Sequence, residues 1–480
     1  MKIFLYHLII FNFDMIELVI KNGKVVFPSD TIETSIAIDQ GKIVAIGSSS
    51  IMPRGVKSLD AEGKFVLPGC IDPHVHVRDV FMGATANDDF FLASKATSLG
   101  GTTTIIDFAI QKKACLPIDA VQERRAEADG EVVIDYSLHP SITDLTPETI
   151  DQFKELIDLG LPSFKLFLVY RKDGLMVDDG TLLKVFEETK AHGGLVGLHA
   201  ENVAIIDYLR DEALRKGHRK AIYHAYTRPP ITEAEAVNRA IFLANHLNAP
   251  YYNFHLTIKE GVEMFREERK RGRPMYAETC THYLVKTIED LKGSKGINFI
   301  CNPPLRQEED QKALWKGLAD GTVSVVSSDQ VAFTAEMKKL GEDSFDMVPN
   351  GVPGHEFRLP ILFSEGVRKK RININRLSEI TSTNAAKIFG LYPKKGIINV
   401  GSDADIVIFD PNLKKTITTE DSLYSMDWYP YEGMTVKGYP VITISKGKII
   451  WENGEFQGKK GDGEFLRRTI SQDLLRTPVV

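Results

Sequence analysis

The feature that most constrains the fold is an alternation that fills the middle of the chain, from about residue 66 to residue 390. Apolar, strand-like runs at 103–108, 163–169, 194–199, 251–255, 274–277 and 323–327 are separated by stretches of helical character, among them 150–159, 181–192, 233–246 and 308–318. Strand and helix in regular succession call for a parallel sheet with crossover helices, because parallel neighbours need a long connection. With the run that leads into His74 there are about seven such strands, close to a (β/α)8 TIM-like barrel. No fixed-length repeat accompanies the alternation.

The two ends of the chain read differently. Short strands separated by turn residues are expected at 17–20, 23–26, 34–39 and 42–47. Near the other end, ADIVIFD at 404–410 and VITISKGKIIW at 441–451 repeat the pattern. Strand-rich segments at both termini suggest one small β-sandwich built from both. The expected organisation is an N-terminal extension at 1–14, a sandwich formed by 15–65 and 391–460, a catalytic barrel at 66–390 and a charged tail at 461–480.

Composition excludes several classes. Hydrophobic residues make up 43% and charged residues 26% of the chain, which is ordinary for a globular protein and unlike a disordered one. A net charge of −6 argues against a general nucleic-acid binder, and the basic runs at 266–273 and 368–371 read as solvated helix ends. The cysteines, Cys70, Cys115, Cys280 and Cys301, form no CxxC pair and are too sparse for a disulfide framework, so a reducing, cytoplasmic compartment is expected. The apolar start, Met1 to Asp14, is interrupted by His7 and is shorter than the roughly 20 residues of a membrane span. Met15 therefore reads as the start of the folded chain, and no membrane partner is expected.

Chemistry gathers at strand ends. His74 and His76 stand in GCIDPHVHVRD; residues i and i+2 of a strand point to the same side, so both rings can meet one ion. His199 closes GLVGLHAEN, His255 closes YYNFHLT and Asp329 closes VSVVSSD. In a barrel these ends converge on one mouth. Lys165 lies between Phe164, Leu166, Phe167 and Leu168, in a run that reads as a buried strand. Burial disfavours an ammonium, and a neutral amine can take up carbon dioxide to become a carbamate, an anionic ligand with two oxygens. A lysine paired with a carboxylate is the plainer alternative.

Ten segments then carry a resemblance: PGCIDPHVH, DDFF at 88–91, GGTTTIIDF at 100–108, SFKLF, HAEN, TRPPITEAEAVNRAI, AETCTHYL, NPPLR, SSD and PNGVPGHEFRLPILFSEGV. In this order and spacing, from about residue 15 to 454, the chain resembles the cyclic amidohydrolase branch of the amidohydrolase superfamily, and within it the dihydropyrimidinases and D-hydantoinases. The resemblance implies two divalent metal ions. His74, His76 and Asp329 would hold the more buried ion, His199 and His255 the second, and carboxylated Lys165 would bridge them. Zinc is the default for such nitrogen and oxygen donors, with manganese, cobalt and nickel also compatible. Two ions activate a water and clamp the oxygens that gain charge. Tyr170 would donate to the oxyanion, Asp329 would act as general base and then acid, and backbone groups at Asn302 and Asn350 would bind the imide or amide edge. The implied reaction opens a dihydropyrimidine or a 5-substituted hydantoin to an N-carbamoyl amino acid. The implied assembly is a homotetramer.

The chain departs from the pattern at three places. Gln330 follows Asp329 where a histidine is usual, and a neutral amide cannot shuttle a proton. Arg78, two residues after His76, and Asn302 before Pro303 lean toward a dihydroorotase, in which arginine pairs with a substrate carboxylate. A dihydroorotase or an allantoinase-like ureide hydrolase is thus the alternative, and a non-catalytic hydantoinase-like scaffold the remote one. Phe81, Met82, Phe167 and Leu175 are expected to face the exocyclic substituent. His282 and His355 read as structural or as support for ligands; His139 is unassigned.

Overall fold

Eight parallel strands, each hydrogen-bonded to the next, form the centre of the computed structural model, which describes residues 15–424 and 426–478. The expected extension at 1–14 lies outside the described residues. The strands are β1 (Cys70–Val75), β2 (Thr102–Ile110), β3 (Asp135–Ser141), β4 (Ser163–Phe167), β5 (Leu195–His199), β6 (Tyr251–Asn253), β7 (Met275–Cys280) and β8 (Val325–Ser327). Helices cross between them. Pro147–Asp158, Asp179–His192, Pro230–Leu247 and Glu308–Asp320 each lie within three residues of the helical stretch expected from sequence. Their ends are chemically specified: Thr146 and Asp178 accept from the third amide of their helices, and Gly193 and Asn248 adopt the left-handed conformation that stops theirs.

The strand absent from the sequence expectation is β3. Its sequence, DYSLHPS, is fully buried yet mostly polar, whereas a strand covered on both faces normally reads as an apolar run. The reason lies in the tail. Arg468 enters the floor of the barrel and donates to the Ser137 and Ser163 hydroxyls (2.8 and 2.7 Å) and to the Leu138 and Phe389 carbonyls. His139 completes this floor, with its ring nitrogens 2.7 Å from Ser163 Oγ and 3.0 Å from the Pro73 carbonyl. Ser137 and His139 of β3 are therefore paired in the floor, and Leu466, Ile470 and Leu474 seal it beside them.

A second sheet has nine strands from the two ends of the chain. Its order runs Glu455–Phe456, Lys448–Glu452, Thr435–Ser445, Ile406–Thr416, Phe65–Pro68, Ile16–Val26, Thr31–Asp39 and Lys42–Gly47, with Gly55–Asp60 alongside Ile16–Val26. The runs expected at 17–20 and 23–26 are one strand with a register shift between Ile20 and Gly23. Phe65–Pro68 joins the halves and leads through Gly69 into β1. A Cβ on Gly69 would sit 2.2 Å from Thr103 Oγ1, so the junction excludes any larger residue. Lys395 pins this sheet to the barrel through Asp135, Asp403 and Asp405, at 2.8, 3.1 and 2.5 Å.

The barrel closes between β8 and β1, which share no strand ladder. Side chains take over much of the work there. The buried guanidinium of Arg358 donates to the Ile71 carbonyl on one side (3.0 Å) and the Val326 carbonyl on the other (2.7 Å). Asp72 accepts from the Ser328 amide (3.1 Å), and its other oxygen is 3.9 Å from Arg358 Nε. One bridge, Val75 with Gln330, completes the join. Replacing Arg358 by Met leaves the Asp72 carboxyl buried without its cation. The expected cost is about 3–5 kcal/mol, read as a lower urea midpoint; an unchanged midpoint would show that the seam holds without it.

Candidate functional site

At the carboxyl ends of these strands the backbone turns sharply. Tyr170, His255 and Asp329 have φ of 62°, 39° and 50°, left-handed values that bulky residues rarely adopt. Such strain persists where the surroundings over-determine it, and it clusters at functional sites. The turns aim side chains from β1, β4, β5, the β6 end and the β8 end into one small cavity of about 30 Å³. His76, Lys165, Tyr170, His199, His255, Asn302, Asp329 and Asn350 all line it, with Phe81 and Phe167.

Nitrogen and oxygen donors converge on that space. Ligand atoms of His74, His255 and Asp329 lie within 4.8 Å of one another. Asp329 Oδ1 is 3.0 Å from His74 Nε2 and 3.5 Å from His76 Nε2. The His199 and His255 rings stand 4.3 Å apart, centre to centre. Burial works against ionisation of Asp329, but His74, and after it His255 and His76, hold its carboxyl well below the usual range.

Carboxylates behind the rings set their direction. Glu278 lies 2.5 Å from His74 Nδ1, Asp79 2.8 Å from His76 Nδ1 and Glu201 2.8 Å from His199 Nε2. Each leaves the other ring nitrogen for the cavity, the arrangement that typifies metal-ligating histidines. The three are themselves anchored: Glu278 accepts from the Tyr252 hydroxyl (2.8 Å), while Asp79 and Glu201 face Arg124 and Arg228 at 3.3 and 3.7 Å. These carboxylates escaped the sequence reading. Asp79 and Glu201 carried a faint signal, standing three and two residues after a histidine; Glu278 had only its place in AETCTHYL.

Lys165 borders the cavity and is packed among aromatic rings. Its Nζ lies 3.9, 5.0 and 5.3 Å from the ring centres of Phe254, Phe108 and Phe167. Burial pushes its amine down to about 7. The glycine of GLVGLH makes room for this packing, since a Cβ on Gly197 would sit 2.2 Å from the Phe254 ring. An amine brought near neutrality beside a cluster of histidines fits a carbamate ligand, and the orphaned His74 Nε2 and His255 Nδ1 fit a metal ion.

Opposite the donors lies a polar edge. Tyr170 is partly buried, and desolvation pushes its phenol up and keeps the hydroxyl protonated; that oxygen accepts from Asn302 Nδ2 at 3.0 Å. Asn302 Oδ1 and Asn350 Oδ1 are buried and have no partner. Beyond Phe81 the space opens into a cleft of about 330 Å³, lined by Met82, Leu175, Phe108, Ile110 and the exposed Arg78. The expected site residues are thus gathered in two adjoining spaces, except that His74 sits behind the inner one. His282 and His355 remain outside the donor set.

Gln330 proves to be a connector. Its Oε1 accepts from the Gly354 and His355 amides (2.9 and 3.3 Å), and its Nε2 donates to the Tyr424 hydroxyl (3.3 Å). Tyr424 and Tyr429 in turn donate to Glu356. The neutral amide holds the loop after Asn350 against the strand end that bears Asp329.

The comparisons with known proteins agree with this geometry. Residues 65–450 match the model of the amidohydrolase family. A D-hydantoinase of Geobacillus stearothermophilus is 41% identical over 453 residues, covering 94% of this chain and 96% of the relative. A dihydropyrimidinase of Rattus norvegicus is 37% identical over 460 residues, covering 94% and 88%. The crystal structure of dihydropyrimidinase from Brevibacillus agri superposes with a TM-score of 0.92 at 41% identity, over 95% of this chain and 99% of that one.

Glu278→Gln removes the charge that orients His74. Retention of divalent metal against a graded chelator is expected to weaken about 10–100-fold; retention equal to that of the parent would deny Glu278 this role.

Proposed function

We propose, from the premise that the chain belongs to the amidohydrolase family, that it opens cyclic amides: a dihydropyrimidine or a 5-substituted hydantoin is hydrolysed at a ring C–N bond to an N-carbamoyl amino acid. The observation that carries this reading is the pairing, across one cavity, of a metal-type donor cluster with a protonated Tyr170 hydroxyl and two unpaired amide oxygens. The relatives named D-hydantoinase and dihydropyrimidinase support it. The dihydroorotase and allantoinase alternatives are not favoured by them.

In this reading His74, His76 and Asp329 hold one divalent ion, His199 and His255 hold a second, and Lys165, carboxylated by carbon dioxide, serves both. Zinc suits the donors best. When bound, the ions supply Lewis acidity and a nucleophile available at neutral pH. The protein's own groups do the rest. Tyr170 donates its O–H to the carbonyl oxygen as that oxygen gains charge. Asp329 accepts a proton from the nucleophile and returns it to the leaving ring nitrogen. Asn302 Oδ1 and Asn350 Oδ1 accept from ring N–H groups. Phe81, Phe167, Met82 and Leu175 receive the exocyclic substituent, and Arg78 stands at the far end of their cleft. Gln330 moves no proton.

No helix among the described residues is long and apolar enough to cross a membrane. The enzyme is proposed to work in the cytoplasm as a homotetramer on small substrates.

Dihydrouracil, hydantoin, dihydroorotate and allantoin assayed in parallel test the reaction. Turnover of one or both of the first two is expected; turnover of dihydroorotate alone would hand the site to the alternative. Lys165→Ala is expected to lose metal and activity together, with partial return on adding short carboxylic acids. Full activity in that variant would refute the bridging carbamate.

A further inference from the structure

One buried cation near the site has no part in the mechanism above. Lys338 ends the short helix Ala335–Lys338, is 0% exposed, and meets no carboxylate among the described residues. Its Nζ donates to two backbone carbonyls, of Ile300 at 2.8 Å and Pro349 at 2.7 Å. Phe333 and Cys301 flank it. Desolvation penalises such a group, and a methionine would fill the same space without that cost.

The two carbonyls belong to separate segments. Ile300 stands two residues before Asn302, and Pro349 immediately precedes Asn350. The same Ile300 carbonyl also accepts from the Gly351 amide at 3.1 Å. No strand ladder joins these segments, so this junction fixes their separation. Asn302 and Asn350 both line the cavity, and their Oδ1 atoms are buried acceptors without a partner. Two acceptors meet the polar edge of a small rigid ring only if their spacing is right, because a ring cannot adapt by rotating its own bonds.

We propose that Lys338 is a positioning residue for the ring edge of the substrate: it ties the segment bearing Asn302 to the segment bearing Asn350 and so sets the distance between the two amide oxygens. The inference rests on the cyclic-amide reading of the site. Whether protonated or neutral, the amine keeps enough N–H groups for both carbonyls, so the tie does not depend on its charge.

The test uses the full-length, zinc-loaded protein with Lys338→Met, which keeps the reach but no donor, and Lys338→Gln, which keeps a shorter donor. The expected result with hydantoin or dihydrouracil is a KM raised about tenfold in the Met variant and less in the Gln variant, with kcat held within about threefold. Zinc content should equal the parent's. A KM equal to the parent's, or zinc and activity lost together in both variants, overturns the proposal. The Gln variant carries the comparison if the Met variant does not fold. The two readings also fail separately. A parent chain that opens neither ring removes the proposed function. A crystal structure of Lys338→Met in which residues 300–302 and 349–351 superpose on the parent removes the tie itself.

Discussion

The closure of the barrel between its last and first strands is the constraint on which the site depends. His74 and His76 come from β1, and Asp329 comes from the end of β8, so their approach to 3.0 and 3.5 Å exists only if the seam is shut. Main-chain pairing at this seam is a single bridge. Arg358 reaches both strands at their carbonyls, and Asp72 holds the amide of Ser328, next to Asp329. A side-chain join of this kind fixes position through a few directional bonds. It also leaves Ser328 and Asp329 outside any ladder, which lets Asp329 take its left-handed φ and turn inward.

The same economy governs the rings. A histidine is a useful ligand only in one tautomer and one orientation. Glu278, Asp79 and Glu201 provide both, and each is buried or nearly so with its own partners. The sheet built from the chain ends contributes indirectly. Tyr424 and Tyr429, in the segment between Ile406–Thr416 and Thr435–Ser445, secure Glu356 and through Gln330 the loop that bears Asn350. Residues far from the barrel in sequence therefore complete the wall of its mouth.

Much of this was legible in the sequence, for a physical reason. Strands covered by helices on one side and packed in a core on the other carry apolar runs, so β2 and β4 to β8 stood out. Ligands at their ends stood out because polar residues interrupt such runs at one place only. β3 was hidden because Arg468, more than 300 residues later, supplies the partner for Ser137. Gly55–Asp60 was hidden because it lies at a sheet edge and is largely exposed, where apolar alternation is not required. The orienting carboxylates were invisible because a single Glu or Asp looks the same in sequence whether it faces water or a ring nitrogen. Gln330 was seen as a departure, but its bonds to Gly354 and Tyr424 could not be inferred from its position.

The buried cations sharpen the case for Lys165. Among the described residues seven lysines and arginines are buried: Arg124, Lys165, Arg306, Lys338, Arg358, Lys395 and Arg468. Arg124, Arg306 and Lys395 meet carboxylates. Lys338, Arg358 and Arg468 donate to backbone carbonyls. Each offsets part of its desolvation in this way. Lys165 alone among them has neither a carboxylate within ion-pair reach nor a hydrogen-bond acceptor; three phenylalanine faces lie nearest its amine. Cation–π attraction is worth about 2 kcal/mol when desolvated, well short of the cost of burying an unpaired ammonium. Among the described residues the other six buried cations have such partners, while Lys165 borders the cavity close to neutrality. Such an amine is suited to gaining a carboxyl group, and the histidines around it are suited to what that group would bind.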